Sequence, residues 1–262
     1  MEKKKNRLSF SRKKPAVLIV PVLLLLLWEI LGRAGYINPT ILPTPGKIFE
    51  ACIKLINKGR LQADILISLR RVMEGYLIGA FLGIVVGVGM GMFPTLENLM
   101  SLITGLLRPI PIVAWVPVLI LWMGIGEASK VTVIAIGSFW PVLLNVTDGI
   151  RNVDVKYKEV AQVFVKPKRI ELFRVILPAA LPMIFTGLRI SVGTAWVSVI
   201  GAELIASSSG LGYLIQYSRE LSQPANMLVG VFAIGVIGLL INKLIVVIEK
   251  YALHWNRNIK TK

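Results

Sequence analysis

The sequence predicts an all-α integral membrane protein with six spanning helices, and three observations carry the prediction. Hydrophobic residues make up 55% of the 262-residue chain and its mean hydropathy is +0.72, whereas soluble domains hold about 45–50% apolar residues even with glycine counted. Apolar runs close to the roughly 20 residues that cross a bilayer recur between short polar breaks. The alternating segments of about 10 residues that a membrane barrel needs are not seen.

The elements follow in order. A basic tail, 1–15, carries Lys3, Lys4, Lys5, Arg7, Arg12, Lys13 and Lys14 and leads into a first span at about 16–33. That run is long for a cleavable signal, and Arg33 interrupts its small residues Gly32, Ala34 and Gly35, so it reads as a retained helix. Further spans are expected at about 72–93, 97–122, 130–148, 183–205 and 226–249, forming one transmembrane domain over 16–250 before a basic tail at 251–262. Six spans with the basic N-terminus inside place both termini in the cytoplasm.

Lys and Arg total 30 against 14 Asp and Glu, a net charge of +16. The cations crowd into tails and loops beside apolar runs, where they set orientation; nucleic acid is therefore not expected as a partner. The inside segments hold many of them, but the outside segment 36–71 also has Lys47, Lys54, Lys58, Arg60, Arg70 and Arg71, against the rule. An external amphipathic helix at 44–60 answers this: Thr44-Pro45 supplies a cap and first-turn proline, and Ile48, Phe49, Cys52, Leu55 and Ile56 recur at helical spacing. Its basic face either lies on the membrane surface or docks an external partner. The single Cys52 allows no internal disulfide, and the single His254, among Trp255, Asn256 and Arg257, assembles no metal site.

Two spans carry unusual patterns. Gly75, Gly79, Gly83, Gly87 and Gly91 recur every fourth residue, a stripe that lets another helix approach closely, in the same subunit or in a second one. In the third span Arg108-Pro109-Ile110-Pro111 is followed by Trp115 and Pro117. Prolines so placed disrupt a helix, which membranes tolerate where the freed groups face protein or a water-filled cavity. Arg108, near mid-depth, either offers its charge to an anionic solute or bonds the freed carbonyls. Glu203, between Gly201-Ala202 and the polar run Ser207-Ser208-Ser209-Gly210, is either a gate or a hydrogen-bonded helix end. Arg108, Pro109, Pro111, Trp115 and Glu203 are thus the pathway candidates.

The segment 151–182 reads RNVDVKYKEVAQVFVKPKRIELFRVILPAALP, basic and amphipathic. Val160, Val163 and Phe164 alternate with Lys156, Lys158, Glu159 and Gln162; Lys166-Pro167 then interrupts the helix. A second helix, Lys168 to Leu177, is expected to stop before Pro178. Such a helix-turn-helix either docks a cytoplasmic partner or lies on the membrane.

At these residues the chain resembles the permease subunits of bacterial binding-protein-dependent ABC importers. Their cytoplasmic loop has Glu-Ala-Ala, then a glycine, then Ile-x-Leu-Pro or a variant; here stand Glu159-Val160-Ala161 and Val175-Ile176-Leu177-Pro178. LLRPIPIVAWVPVLILWMGIGEASK (106–130), FWPVLLNVTDGIRNVD (139–154), LPAALPMIFTGLRISVGTAWVSVIGAEL (177–204) and SSGLGYLI (208–215) resemble the nitrate, taurine and aliphatic sulfonate branch. The resemblance implies a homodimeric pathway in the bacterial cytoplasmic membrane, two cytoplasmic ATPase subunits that bind ATP and Mg, and an external solute-binding protein. It also implies that Glu159, Val160, Ala161, Gln162, Phe164, Val165, Lys166, Pro167 and Pro178 couple the permease to its ATPase. Two positions depart from the pattern: Val160 replaces alanine, and Val165 stands where the motif has glycine, although a β-branched residue disfavours the positive φ glycine allows. No G-x-x-x-x-G-K-[ST] phosphate loop occurs, so no cofactor is expected in this chain and ATP hydrolysis falls to the partner. The implied solute is a small anion; a permease of the same family for a heterocyclic vitamin precursor is the alternative, and a secondary transporter would need repeats or ionisable relays that are not evident.

Overall fold

A computed structural model describes residues 14–157, 159 and 167–252, and every regular element among them is helical. The helices are α1 (Lys14–Arg33), α2 (Pro45–Asn57), α3 (Arg60–Met92), α4 (Pro94–Leu107), α5 (Ile112–Met123), α6 (Glu127–Arg151), α7 (Leu177–Ala206), α8 (Leu211–Glu220) and α9 (Pro224–Ala252). Four segments, Arg60–Met92, Glu127–Arg151, Arg169–Glu220 and Pro224–Ala252, are long and apolar enough to cross a membrane, and α4 with α5 makes a fifth if the bent pair is one span.

The centre of the fold is α6, flanked by α3 and α7. The glycine stripe of α3 makes this possible. A Cβ built on Gly79 would sit 2.3 Å from the Ala135 carbonyl oxygen, and one on Gly75, Gly83, Gly87 or Gly91 would meet the Cβ of Ile134, Val142, Val146 or Ile150 within 3.0 Å. The stripe thus lies along α6 of the same chain, where a helix lacking side chains lets the backbones close together. Val142, Val146, Ile150, Ile176, Ala180 and Ile184 fill one end of the bundle, while Ile134, Val199, Leu211, Leu214 and the α2 residues Ile48, Ala51 and Leu55 fill the other.

Four expected boundaries shift. The second helix begins at Arg60, not 72, so three turns assigned to the outer segment belong to α3, a helix of 33 residues or roughly 50 Å at 1.5 Å per residue. Its first cations are paired: Arg60 with Asp64, Arg70 with Glu74, and Arg71 with Glu127 and Glu203. The third span is two helices meeting at 96°. The helix expected to stop before Pro178 does not stop. Residues Leu172–Ile176 form a π-helical turn in which Leu177 N–H donates to Leu172 O, and α7 then continues through Pro178 and Pro182 to Ala206. Widening the ladder by one residue accommodates the donor Pro178 lacks, so the proline is absorbed instead of ending the helix. Finally, the polar run after Glu203 gives way to α8, which begins behind Gly210 at φ +108°.

The N-terminal helix stands apart. Leu23, Leu24, Leu25, Leu26 and Leu27 cover every face of α1 and all stay about half exposed. Its base is tied to α2, where Glu29 accepts from Gly46 N–H and Arg33, and Gly32 packs on the Thr44 methyl. Helix α2 turns Ile48, Ala51 and Leu55 inward but leaves Phe49 and Ile56 exposed, so only part of its apolar face is buried.

Candidate functional site

The break between α4 and α5 follows from its sequence. Pro109 and Pro111 supply no N–H to the carbonyls of Gly105 and Leu107. Leu107 O recovers one bond from Ile110 N–H at 3.3 Å, and Arg108 N–H closes the last turn on Thr104 O at 3.2 Å. Pro111, at ψ 133°, then starts α5 in a new direction. Pro117, further on, sits inside α5 without interrupting it.

Arg108 borders two cavities at this break. One, of about 430 Å³, lies between the break, α6 and α7 and includes Ile136, Gly137, Trp140, Ile190, Gly193 and Thr194. The other, of about 410 Å³, adjoins Ser101, Thr104, Gly105, Pro109 and Leu144. Gly137 and Trp140 stand at the middle of the 25-residue α6, and Ile190 to Thr194 at the middle of the 30-residue α7. Arg108 is therefore at mid-depth. Among the described residues its side chain has no ion pair and no hydrogen bond, whereas Arg71 and Arg189, also set in apolar helices, are each held by carboxylates. The freed carbonyls do not engage it either: its one recorded bond is made by its backbone N–H.

The other pathway candidates part company with Arg108. Pro109 lines the second cavity, but Pro111, Trp115 and Glu203 line neither. Trp115 packs beside the cluster of Val116, Leu119, Val133 and Ala202. Glu203 is a helix-end residue, 1% exposed, and accepts from Ser68 Oγ at 2.8 and 2.9 Å, Arg71 Nη1 at 2.8 Å and Gly212 N–H at 2.9 Å. The last bond caps the N-terminus of α8, where a carboxylate also meets the positive end of the helix dipole.

Around Glu203 stands a polar clamp that the sequence reading missed. Arg71 binds Glu127 through Nε and Nη2, both at 2.6 Å, and reaches Ser209 O at 2.7 Å. Lys130 adds a bond to Glu127 at 3.0 Å. Asp64 accepts from Gly210 N–H at 2.8 Å, and Ser68 Oγ accepts from Leu211 N–H at 2.9 Å. The clamp joins α3, α6, α7 and α8 at one end of the bundle. A signal was present: Asp64, Ser68 and Arg71 continue the helical face of Gly75 and Gly79, so a polar stripe at core positions called for partners.

Of the proposed coupling residues, Val160, Ala161, Gln162, Phe164, Val165 and Lys166 lie outside the described residues. Glu159 and Pro167 are exposed, and Ile170 N–H donates to Pro167 O at 2.9 Å. At this end Arg151 of α6 bonds Glu97 of α4.

An all-helical bundle with several membrane-capable helices is a multi-pass membrane protein. The chain belongs to the family of binding-protein-dependent transport system inner membrane components, whose model matches residues 79–254. It is 38% identical to the putative aliphatic sulfonates transport permease protein SsuC of Bacillus subtilis, over 92% of this chain and 87% of that protein. It is 31% identical to the taurine transport system permease protein TauC of Escherichia coli, over 98% and 95%, and 33% identical to the nitrate import permease protein NrtB of a Synechocystis strain, over 94% and 93%. A solved amino acid ABC transporter described with histidines shares the fold at a TM-score of 0.58 and 17% identity, over 72% of this chain and 92% of that one. The three sequence relatives are permease proteins by name.

Proposed function

We propose that the chain is the permease subunit of an ATP-driven importer for a small anionic solute of the aliphatic sulfonate, taurine or nitrate type. Two copies form the pathway in the bacterial cytoplasmic membrane, two cytoplasmic ATPase subunits dock on the 151–182 segment, and an external binding protein delivers the solute. The relatives named above support the class. The observation that carries the charge of the solute is Arg108, a mid-depth cation beside a cavity with no carboxylate to neutralise it among the described residues; a charge at such depth is costly and marks solute pathways. We take six spans with cytoplasmic termini as the path of the chain. On that path the clamp around Arg71 and Glu203 falls at the outer ends of α3, α6 and α7, and Glu97–Arg151 at the inner ends.

The coupling role is tested at Glu159. In vesicles containing permease, ATPase and binding protein, Glu159→Lys is expected to cut ATP-dependent uptake at least tenfold and to weaken co-purification of the ATPase, because an exposed acid on the docking segment becomes a base. Unchanged uptake and unchanged ATPase association together would remove Glu159 from the interface.

A further inference from the structure

The cavity beside Arg108 has a composition that says more than its charge. Among the described residues Arg108 is its one charged lining residue, and Ile110, Ile112, Ile136, Ile190, Val197 and Trp140 supply most of the remaining wall. The two hydroxyls on the α7 side are already committed: Thr194 Oγ donates to Gly137 O at 2.8 Å and Ser198 Oγ to Thr194 O at 2.7 Å. A pocket with one charged end and otherwise apolar walls recognises a ligand of the same division. The guanidinium presents paired donors to an oxyanion, and the isoleucines offer area to a hydrocarbon tail.

Gly193 makes room for that tail. It lines the cavity in the middle of α7, and a Cβ built on it meets no atom within 4 Å. It differs in this from Gly137, whose added Cβ would lie 2.2 Å from Ser198 Oγ and which is needed for helix packing. Among the described residues nothing packs against the Cβ position of Gly193, and glycine inside a helix is destabilising relative to alanine. Its effect in the fold is open volume on the apolar wall.

We infer that the permease itself carries a solute-selective site at this cavity, with Arg108 holding the head of an oxyanion and the wall around Gly193 accommodating a short aliphatic tail. The inference rests on the importer reading above and deepens it. Selection does not end with the binding protein: tailed monoanions are favoured over bare ones within the membrane.

The test uses the intact permease–ATPase complex in lipid nanodiscs, without the binding protein, and radiolabelled pentane-1-sulfonate as probe. Displacement by unlabelled alkanesulfonates is expected to tighten about fourfold per added methylene from methane- to pentanesulfonate, with nitrate at least tenfold weaker than pentanesulfonate. Arg108→Gln is expected to weaken pentanesulfonate binding at least tenfold. Gly193→Leu, which fills open space and leaves the helix contacts alone, is expected to abolish most of the advantage of pentane- over methanesulfonate, with its melting temperature confirming the fold. Displacement independent of chain length, a chain-length advantage that survives Gly193→Leu, or no binding by a complex that imports the sulfonate with its binding protein, overturns the site alone. A complex that imports none of these anions with its binding protein overturns the reading of function on which the site rests.

Discussion

Arg71→Met is expected to destabilise the permease by about 3–5 kcal/mol, the usual cost of removing one partner from a buried ion pair. The loss falls mainly on Glu203. The Arg71 and Glu203 side chains are 3% and 0% exposed, whereas Glu127, the other partner, is 62% exposed, so solvent screens its pairing. Without Arg71, Glu203 keeps bonds from Ser68 and Gly212 but remains a buried carboxylate with no cation. The same substitution frees Ser209, so the Ser207–Gly210 turn is left tied to α3 through the bond from Gly210 N–H to Asp64. The measurement is the melting temperature of the detergent-solubilised protein followed by size-exclusion chromatography. Arg71→Met with Glu203→Leu is expected to recover part of the loss, since replacing both members of a buried pair by apolar groups is far less costly than removing one. A single variant as stable as the parent would show that the clamp does not hold these helices together.

Gly79→Ala is expected to cost at least about 1–3 kcal/mol, the range for overpacking a closely fitted core, through the addition of one methyl group. The new Cβ would lie 2.3 Å from the Ala135 carbonyl oxygen and 2.9 Å from Ser138 Cβ. The first obstacle is backbone, so relief requires α3 and α6 to separate along the most extensive contact in the fold. Gly235→Ala in α9, where an added Cβ meets nothing within 4 Å, is the control and should be neutral or stabilising by up to about 1 kcal/mol. Thermal melting of the two variants side by side decides the matter: equal stability would mean that the α3–α6 interface can yield where the packing says it cannot.

Two prolines show what the order of residues cannot decide. Pro109 and Pro178 both follow apolar helical runs and both lack a donor, yet the chain bends by 96° after Arg108 and runs on through Pro178. At 109–111 two prolines remove donors two residues apart, leaving too few bonds to hold the direction. At Pro178 a single missing donor is absorbed by a π turn, while Ile176, Ala180 and Ile184 hold the helix against α6. Sequence rules describe the local defect, and packing decides whether the helix survives it.

The four membrane-capable helices, the glycine stripe, the cap-and-proline start of α2 and the broken third span were legible because each is written in residues near one another. Crossing a bilayer requires a continuous apolar run, and a helical stripe requires a fixed period, so neither depends on what lies opposite. The partner of the stripe, the clamp and the solitude of Arg108 were not legible. Arg71 and Glu203 are 132 residues apart in the chain and 2.8 Å apart in space. Sequence shows that cations and acids are present, but only the fold shows which of them meet. Among the described residues the fold gives Arg71 two carboxylates and Arg108 none, so Arg71 has a structural role and Arg108 faces the cavity.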